Sequence, residues 1–202
     1  DVNKQPLTSY GGSKLMIEFI LTDYFKAYGL NSVTLRLFNV CGADPEHKLG
    51  EVKNAPTHLI PSVMDTALGR RDVFKIFGTN YDTRDGTAIR DYTHVEDIAD
   101  AHVLALEFIR QNPGQHQVFN LGSGSGYSVK EVISAVEKNL NTTVEYEEVE
   151  RREGDPDKVF ADIQKAEALL GWKPKRNMDT IAKSAYNWYS GETYKKLMTS
   201  SS

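Results

Sequence analysis

Val33-Thr34-Leu35-Arg36-Leu37-Phe38 is β-branched and apolar, has the length of a strand, and runs straight into Asn39. That pattern predicts a strand with a polar group waiting at its carboxyl end. Before it, from about Ser13 to Tyr28, apolar positions are broken chiefly by Glu18, Thr22, Asp23 and Lys26, and Gly29 stands where a C-cap glycine would end a helix. Helix, short turn, strand and then a polar residue is the grammar of an open α/β sheet. Ligands of such sheets sit outside the carboxyl ends of the strands, so Asn39 reads as a ligand contact. Glu18, Thr22 and Lys26 form one narrow polar stripe, and a helix so apolar elsewhere is covered on more than one side. One side faces a sheet. The other faces either a second copy of the chain or the inside of one large domain.

The head of that helix is Tyr10-Gly11-Gly12-Ser13-Lys14. A tyrosine four residues before a lysine places phenol and ammonium on one helix face, about a turn apart. An ammonium beside a phenol favours the phenolate, which suits an acid/base that takes a proton from a sugar or alcohol hydroxyl and returns it. The spacing alone is common in a chain with 10 Tyr, so the reading depends on what surrounds the pair.

The 202 residues are enough for one large domain, or one plus a small lobe, and 40% apolar with 26% charged residues is ordinary for a globular protein. A net charge of −4 with interspersed signs gives no electrostatic reason to expect nucleic acid or an anionic membrane. No apolar run approaches the ~20 residues that span a bilayer. The single cysteine, Cys41, excludes an internal disulfide and suits a reducing cytoplasm; within Phe38-Asn39-Val40-Cys41-Gly42 it reads as a packed thiol rather than a nucleophile. The opening Asp1-Val2-Asn3-Lys4-Gln5-Pro6 has no signal-peptide pattern and leads at once into a strong helix, as expected of a piece of a larger protein. His47, His58, His94, His102 and His116 are too scattered to suggest a metal site, and none is expected. On a helix, His102 reads as structural.

Further along, 43–57 is polar and turn-rich, 59–68 predicts a helix closed by Gly69, and 72–77 a strand. The long polar loop 78–87 has the length of a functional one. Thr93-His94-Val95-Glu96 has the form of a capping box, opening a helix with Ile98, Ala101, Ala105, Phe108 and Ile109 on one face, which Pro113-Gly114 stops. A strand at 118–121 enters Gly122-Ser123-Gly124-Ser125-Gly126, and a second capping box, Ser128 with Glu131, starts a helix to about Leu140. Strand, glycine loop, helix and later acids near Glu145 imitate a dinucleotide fingerprint, but the glycines alternate and the last falls one short of the usual spacing. A tight turn that lets the backbone approach something closely is the other reading. After a strand at 143–149 comes the charged turn Arg151-Arg152-Glu153-Gly154-Asp155-Pro156, whose arginines are either solvated or make forked contacts to phosphate. Helices at 162–170 and 178–189 and a frayed end at 200–202 complete the chain.

Several of these segments together resemble the UDP-glucose 4-epimerase family of the extended short-chain dehydrogenase/reductase superfamily. They are Tyr10-Gly11-Gly12-Ser13-Lys14-Leu15, Leu35-Arg36-Leu37-Phe38-Asn39, His58-Leu59-Ile60-Pro61, Phe77-Gly78, Asp85-Gly86-Thr87, Arg90 to Asp97, Arg151 to Asp155, and Leu170 to Pro174, in the family's own order. The resemblance implies an α/β fold: the C-terminal part of an NAD(P)-binding Rossmann-like doubly wound sheet plus a smaller substrate-binding lobe. It divides the chain into 1–42, carrying the Tyr-Lys helix, and 43–202, mainly the UDP-sugar lobe with segments returning to the sheet. It implies that Tyr10 is the acid/base and Lys14 its partner, both touching bound NAD. Asn39, His58, Leu59, Phe77, Arg90, Arg152 and Asp155 would line the pocket for UDP-glucose or UDP-galactose. Arg90 and Arg152 would offset the diphosphate, Asp155 accept from the ribose, and Phe77 lie beside the uracil. The implied reaction is reversible oxidation at sugar carbon 4, with a cytoplasmic homodimer formed through the 13–28 helix. The family's glycine-rich cofactor loop, its ribose-binding acid and the Ser or Thr beside the tyrosine would precede Tyr10, so the chain is expected to bind NAD poorly and not turn over alone. Val159 occupies the position whose bulk limits N-acetylated sugars. A dehydratase or decarboxylase of the superfamily, or a non-catalytic nucleotide-sugar-binding module, would share these features.

Overall fold

The computed structural model describes residue 6 and residues 8–200. Its elements are α1 (Ser9–Tyr28), β1 (Ser32–Leu37), β2 (Asn39–Cys41), α2 (Leu59–Ala67), β3 (Phe74–Phe77), β4 (Ile89–Arg90), β5 (Tyr92–His94) and α3 (Val95–Gln111). After these come β6 (His116–Leu121), β7 (Tyr127–Ser128), α4 (Val129–Leu140), β8 (Tyr146–Val149), β9 (Lys158–Val159), α5 (Gln164–Leu170), α6 (Met178–Ser190) and α7 (Glu192–Ser200). Parallel pairing dominates: β1 with β6, β2 with β5, β3 with β8, and β4 with β9; only β4 with β7 is antiparallel among the described residues. Two apolar clusters hold these layers. Phe119 and Leu121 of β6 meet Ile98 and Ala101 of α3, Ala166 of α5 and Trp172, whose indole N–H donates to the Asp97 carbonyl at 2.7 Å. The second packs Ile60 and Met64 of α2, Val132 and Val136 of α4, and Ile181, Ala185 and Trp188 of α6, with Tyr194 of α7 against them.

The helix before the first strand begins at Ser9 rather than near Ser13, because the Thr8 hydroxyl accepts from the Gly11 amide at 3.1 Å and caps it there. Tyr10 therefore lies in the first turn. Gly29 ends the helix in the left-handed conformation, as expected. Glu18 and Thr22 of the polar stripe meet the sheet, while Lys26 is exposed. Arg36 of β1 forks onto Glu18, Nε to Oε1 and Nη2 to Oε2, both at 2.6 Å, and the pair raises the Arg36 pKa further above its usual value. Thr22, whose hydroxyl already donates to the Glu18 carbonyl, lies 3.1 Å from His116 Nε2, and His116 Nδ1 lies 2.6 Å from the Ser32 hydroxyl. Met16, Ile17, Phe19, Ile20, Tyr24 and Tyr28 are exposed. The helix thus turns Glu18 and Thr22 inward beside Phe25, which stacks on His116, and leaves most of its large apolar side chains outward.

Other boundaries differ for local reasons. The expected capping box at Thr93 is displaced by one residue: Thr93 is buried in β5, and His94 Nδ1 accepts from the Glu96 amide at 3.2 Å to cap α3. Ser128 and Glu131 do form their reciprocal box. Asp162 stays outside α5 because its carboxylate accepts from the Gln164 amide at 3.0 Å. Strands expected from 72 and 143 begin at Phe74 and Tyr146. The helix α7 was not anticipated, and residues 201–202 of the expected frayed end lie outside the described residues.

Candidate functional site

The carboxyl end of β1 opens onto a cavity of about 1000 Å³. Its wall includes Tyr10, Asn39, His58 and Leu59, four of the residues expected at a site. Tyr10 is 72% exposed, and the Lys14 ammonium sits over its ring, 5.2 Å from the centroid. Asn39 starts β2, and both its backbone amide and its Nδ2 donate to the Asp91 carbonyl, at 3.0 and 2.9 Å. His58 is the N-cap residue of α2, and Leu59 its first residue. The His58 Nδ1 stands 3.4 Å from Glu51 Oε1, while the Tyr189 hydroxyl donates to Glu51 Oε2 at 3.4 Å and the Trp188 indole to the Glu51 carbonyl at 2.8 Å. Glu51 and Tyr189 thus belong to the cavity wall but escaped the sequence reading. Burial, with Glu51 nearby, pushes the Tyr189 phenol pKa up, so it stays a proton donor. Cys41 also lines the cavity; burial, then the Asp91 charge, pushes its thiol up, and it donates weakly to the Thr93 carbonyl, which makes it a packed structural thiol.

Phe77, Arg90, Arg152 and Asp155 form a second group, outside that wall. The Arg152 guanidinium stacks on Phe77 at 4.0 Å, and Arg151 stacks on Tyr81 at 3.9 Å. Arg90 Nη2 is 3.6 Å from Asp155 Oδ1. Tyr81 lies amid them all: burial and then the Asp155 charge push its phenol up, while Arg151, Arg90 and Arg152 oppose the shift. The two groups meet along one stretch of chain, since Arg90 ends β4, Asp91 anchors Asn39, and Tyr92 lines the cavity. Val159 is the register partner of Arg90 across β4 and β9.

Asp91 itself explains the glycine loop. Its fully buried carboxylate accepts from the backbone amides of Ser123 at 2.5 Å, Gly124 at 3.2 Å and Ala161 at 3.0 Å. A Cβ on Gly122 would come within 2.3 Å of Asp91 Oδ2. The donors that a dinucleotide loop would aim at pyrophosphate are spent on this side chain, so the fingerprint reading fails and the close-approach reading holds. The loop is a clasp between β6 and the segment after β9. Among the described residues, no cluster of His, Cys, Asp and Glu could hold a metal ion, and no helix is long and apolar enough to cross a membrane.

Residues 1–122 match the model of the NAD dependent epimerase/dehydratase family. The chain belongs to that family. Its relatives include the UDP-glucose 4-epimerase of Rhizobium meliloti (strain 1021), 47% identical over 92% of this chain and 56% of that protein. Among solved structures it is similar to the Stenotrophomonas maltophila UDP-glucose 4-epimerase with bound NAD and formylated UDP-arabinopyranose, at a TM-score of 0.88 and 36% identity, covering 97% of this chain and 57% of that one. The Bifidobacterium longum UDP-glucose 4-epimerase in complex with NAD+ and UDP gives a TM-score of 0.85 and 41% identity over 92% of this chain and 55% of that one. The fold is the α/β, Rossmann-like one of this family, and the chain spans just over half the length of these relatives.

Proposed function

We propose that this chain is the C-terminal part of a UDP-glucose 4-epimerase that interconverts UDP-galactose and UDP-glucose. The observation that carries the reading is the meeting of its two groups: Tyr10, with Lys14 over its ring, stands in the wall of a cavity that also takes in Tyr92, and the chain from Tyr92 back to Arg90 leads to a cluster of guanidiniums and aromatic rings. Residues 1–42 would then complete the cofactor domain and 43–202 supply mainly the UDP-sugar lobe.

In this reading Tyr10 takes the proton of the sugar 4-hydroxyl and returns it after the 4-keto sugar has turned over, and Lys14 holds the phenol's charge balance. Arg90 and Arg152 grip the diphosphate, Asp155 accepts from the ribose, Phe77 lies beside the base, and Asn39, His58 and Leu59 contact the rest of the nucleotide-sugar. Grip is concentrated on the nucleotide, which leaves the sugar free to rotate between its two faces. Bound NAD supplies the acceptor for the hydride that leaves carbon 4. Tyr10 in the cavity wall, with the Lys14 ammonium over its ring, fits its nicotinamide ribose. The pyrophosphate end has no such fit in this chain, because the amides of Ser123 and Gly124 already serve Asp91. The exposed apolar side of α1 supports a homodimer through that helix, and the free Cys41 suits a cytoplasmic setting.

The test joins this chain to the preceding half of the Rhizobium meliloti relative and follows conversion of UDP-galactose to UDP-glucose. Turnover is expected, with Tyr10→Phe lowering kcat by about 10²-fold or more, the scale of a lost acid/base. Unchanged turnover in Tyr10→Phe refutes the reading. The unjoined chain is expected to bind UDP, to bind NAD weakly and to show no conversion.

A further inference from the structure

Arg151 and Arg152 are neighbours in sequence but are committed very differently. Arg151 stacks on Tyr81, donates through Nη2 to the Asp155 carbonyl at 2.7 Å, and pairs with Asp157 Oδ1 at 3.2 Å. The Tyr81 hydroxyl in turn donates to the Phe77 carbonyl at 3.1 Å, and Asp157 accepts from the Asp82 amide at 3.3 Å. Gly78, at a φ of +89°, lets these pieces meet: a Cβ there would lie 2.7 Å from the Tyr81 ring and 2.8 Å from Arg151 Cβ. Arg151 therefore ties the 77–82 segment to the 151–157 turn, its ring stack and its Nη2 both in use. Arg152 forms no ion pair among the described residues and rests only on the Phe77 face. Its N–H groups are available to a ligand, whereas Arg151 Nη2 is already committed.

We infer that Arg151 is a positioning residue: it fixes the Arg152–Asp155 turn so that the Arg152 guanidinium and the Asp155 carboxylate face a nucleoside diphosphate. This rests on the nucleotide reading of the cluster given above. A flat guanidinium stacked on a ring while it donates at its edge is not reproduced by an ammonium, so lysine is a poor substitute at 151. A contact made directly to phosphate would tolerate lysine better, since a point charge also binds phosphate.

The experiment titrates UDP calorimetrically into the 202-residue chain as wild type, Arg151→Met, Arg151→Lys, Arg152→Met and the Arg151→Met/Arg152→Met double variant. Arg151→Met is expected to weaken UDP about tenfold, the scale of one charge-assisted contact, and Arg151→Lys to restore little of it. In the double variant the two losses are expected not to multiply, because one acts through the other. Multiplying losses, or full rescue by lysine, overturn the inference. Asp157→Asn is the gentler companion, loosening Arg151 without altering residues 151–155, and is expected to weaken UDP about threefold, a partial loss of one ion pair. Proton NMR of the ligand-free chain supplies a reading independent of UDP. The ring-current shift of Arg152 over Phe77 should collapse in Arg151→Met and Arg151→Lys, and its persistence refutes the positioning role. A wild-type chain that binds no UDP contradicts the proposed function, while this spectrum still decides the part played by Arg151.

Discussion

Replacing Asp91 probes the clasp that joins the glycine loop to the site. The carboxylate is fully buried, with Oδ1 accepting from Ser123 and Oδ2 from both Gly124 and Ala161. Asparagine has one acceptor oxygen and one NH2 group. Its better orientation places the oxygen toward Gly124 and Ala161, which turns the NH2 against the Ser123 amide, at a position where the carboxylate oxygen sits only 2.5 Å away. One orphaned donor plus the loss of charge assistance costs about 2–3 kcal/mol. Alanine orphans all three donors and costs about 3–6 kcal/mol, comparable with the whole stability of many domains. Urea denaturation followed through the buried Trp172 and Trp188 measures the loss. Hydrogen exchange at Ser123, Gly124 and Ala161 should accelerate ahead of the rest of the chain. An Asp91→Asn variant within about 0.5 kcal/mol of wild type, the usual scale of a neutral surface change, refutes the clasp.

Gly122→Ala presses a methyl group against Asp91 Oδ2 and Ala161 Cβ, and should cost about 1–3 kcal/mol by the same urea assay. Gly12→Ala meets nothing within 4 Å on the α1 surface and should gain about 0.5–1 kcal/mol from helix propensity; a loss would show that this position needs its bare backbone. His94 supplies a pH dependence. Burial lowers its pKa, with Arg176 reinforcing and Glu96 and Asp97 opposing, and its Nε2 lies 3.0 Å from the Ser184 hydroxyl. The unfolded imidazole takes its proton near ~6.5, so this stability is fully present above about that pH and is lost as pH falls through the lowered folded value. His94→Gln should flatten the acid limb of the stability profile, and an unchanged limb sinks the assignment.

The sequence made the elements readable wherever a local cause sets them. The β-branched run before Asn39, the Gly29 cap and the Ser128–Glu131 box all act within a few residues, and all stand as expected. What it hid lies far along the chain. Glu18 turns inward because Arg36 waits on β1, and nothing in the α1 sequence says which strand face will meet it. The glycine loop was legible as a turn made for close approach, but what approaches it, a carboxylate more than 30 residues upstream, was not. Likewise, Glu51 enters the cavity wall through Tyr189, 138 residues away. The capping box slipped by one residue because Thr93 was needed in β5, a tertiary demand that outranks a local preference. The candidate residues were readable as a list, but their division into a cavity group and an arginine group was set by where β4, β5 and β9 run.

The inside-out character of α1 has a consequence for how the phenol is aimed. Its seating on the strands depends on a forked ionic contact at Glu18 and a hydroxyl-imidazole relay at Thr22, with Phe25 stacked on the same imidazole. Directional bonds of this kind act like dowels, fixing rotation and height of the rod at once, whereas an oily seam lets a rod slide. Eight residues from Tyr10 to Glu18 span roughly 12 Å of rod, so the aim of the phenol is governed from two turns away. The Glu18 carboxylate is nearly buried under its partner, so salt leaves that aim largely in place.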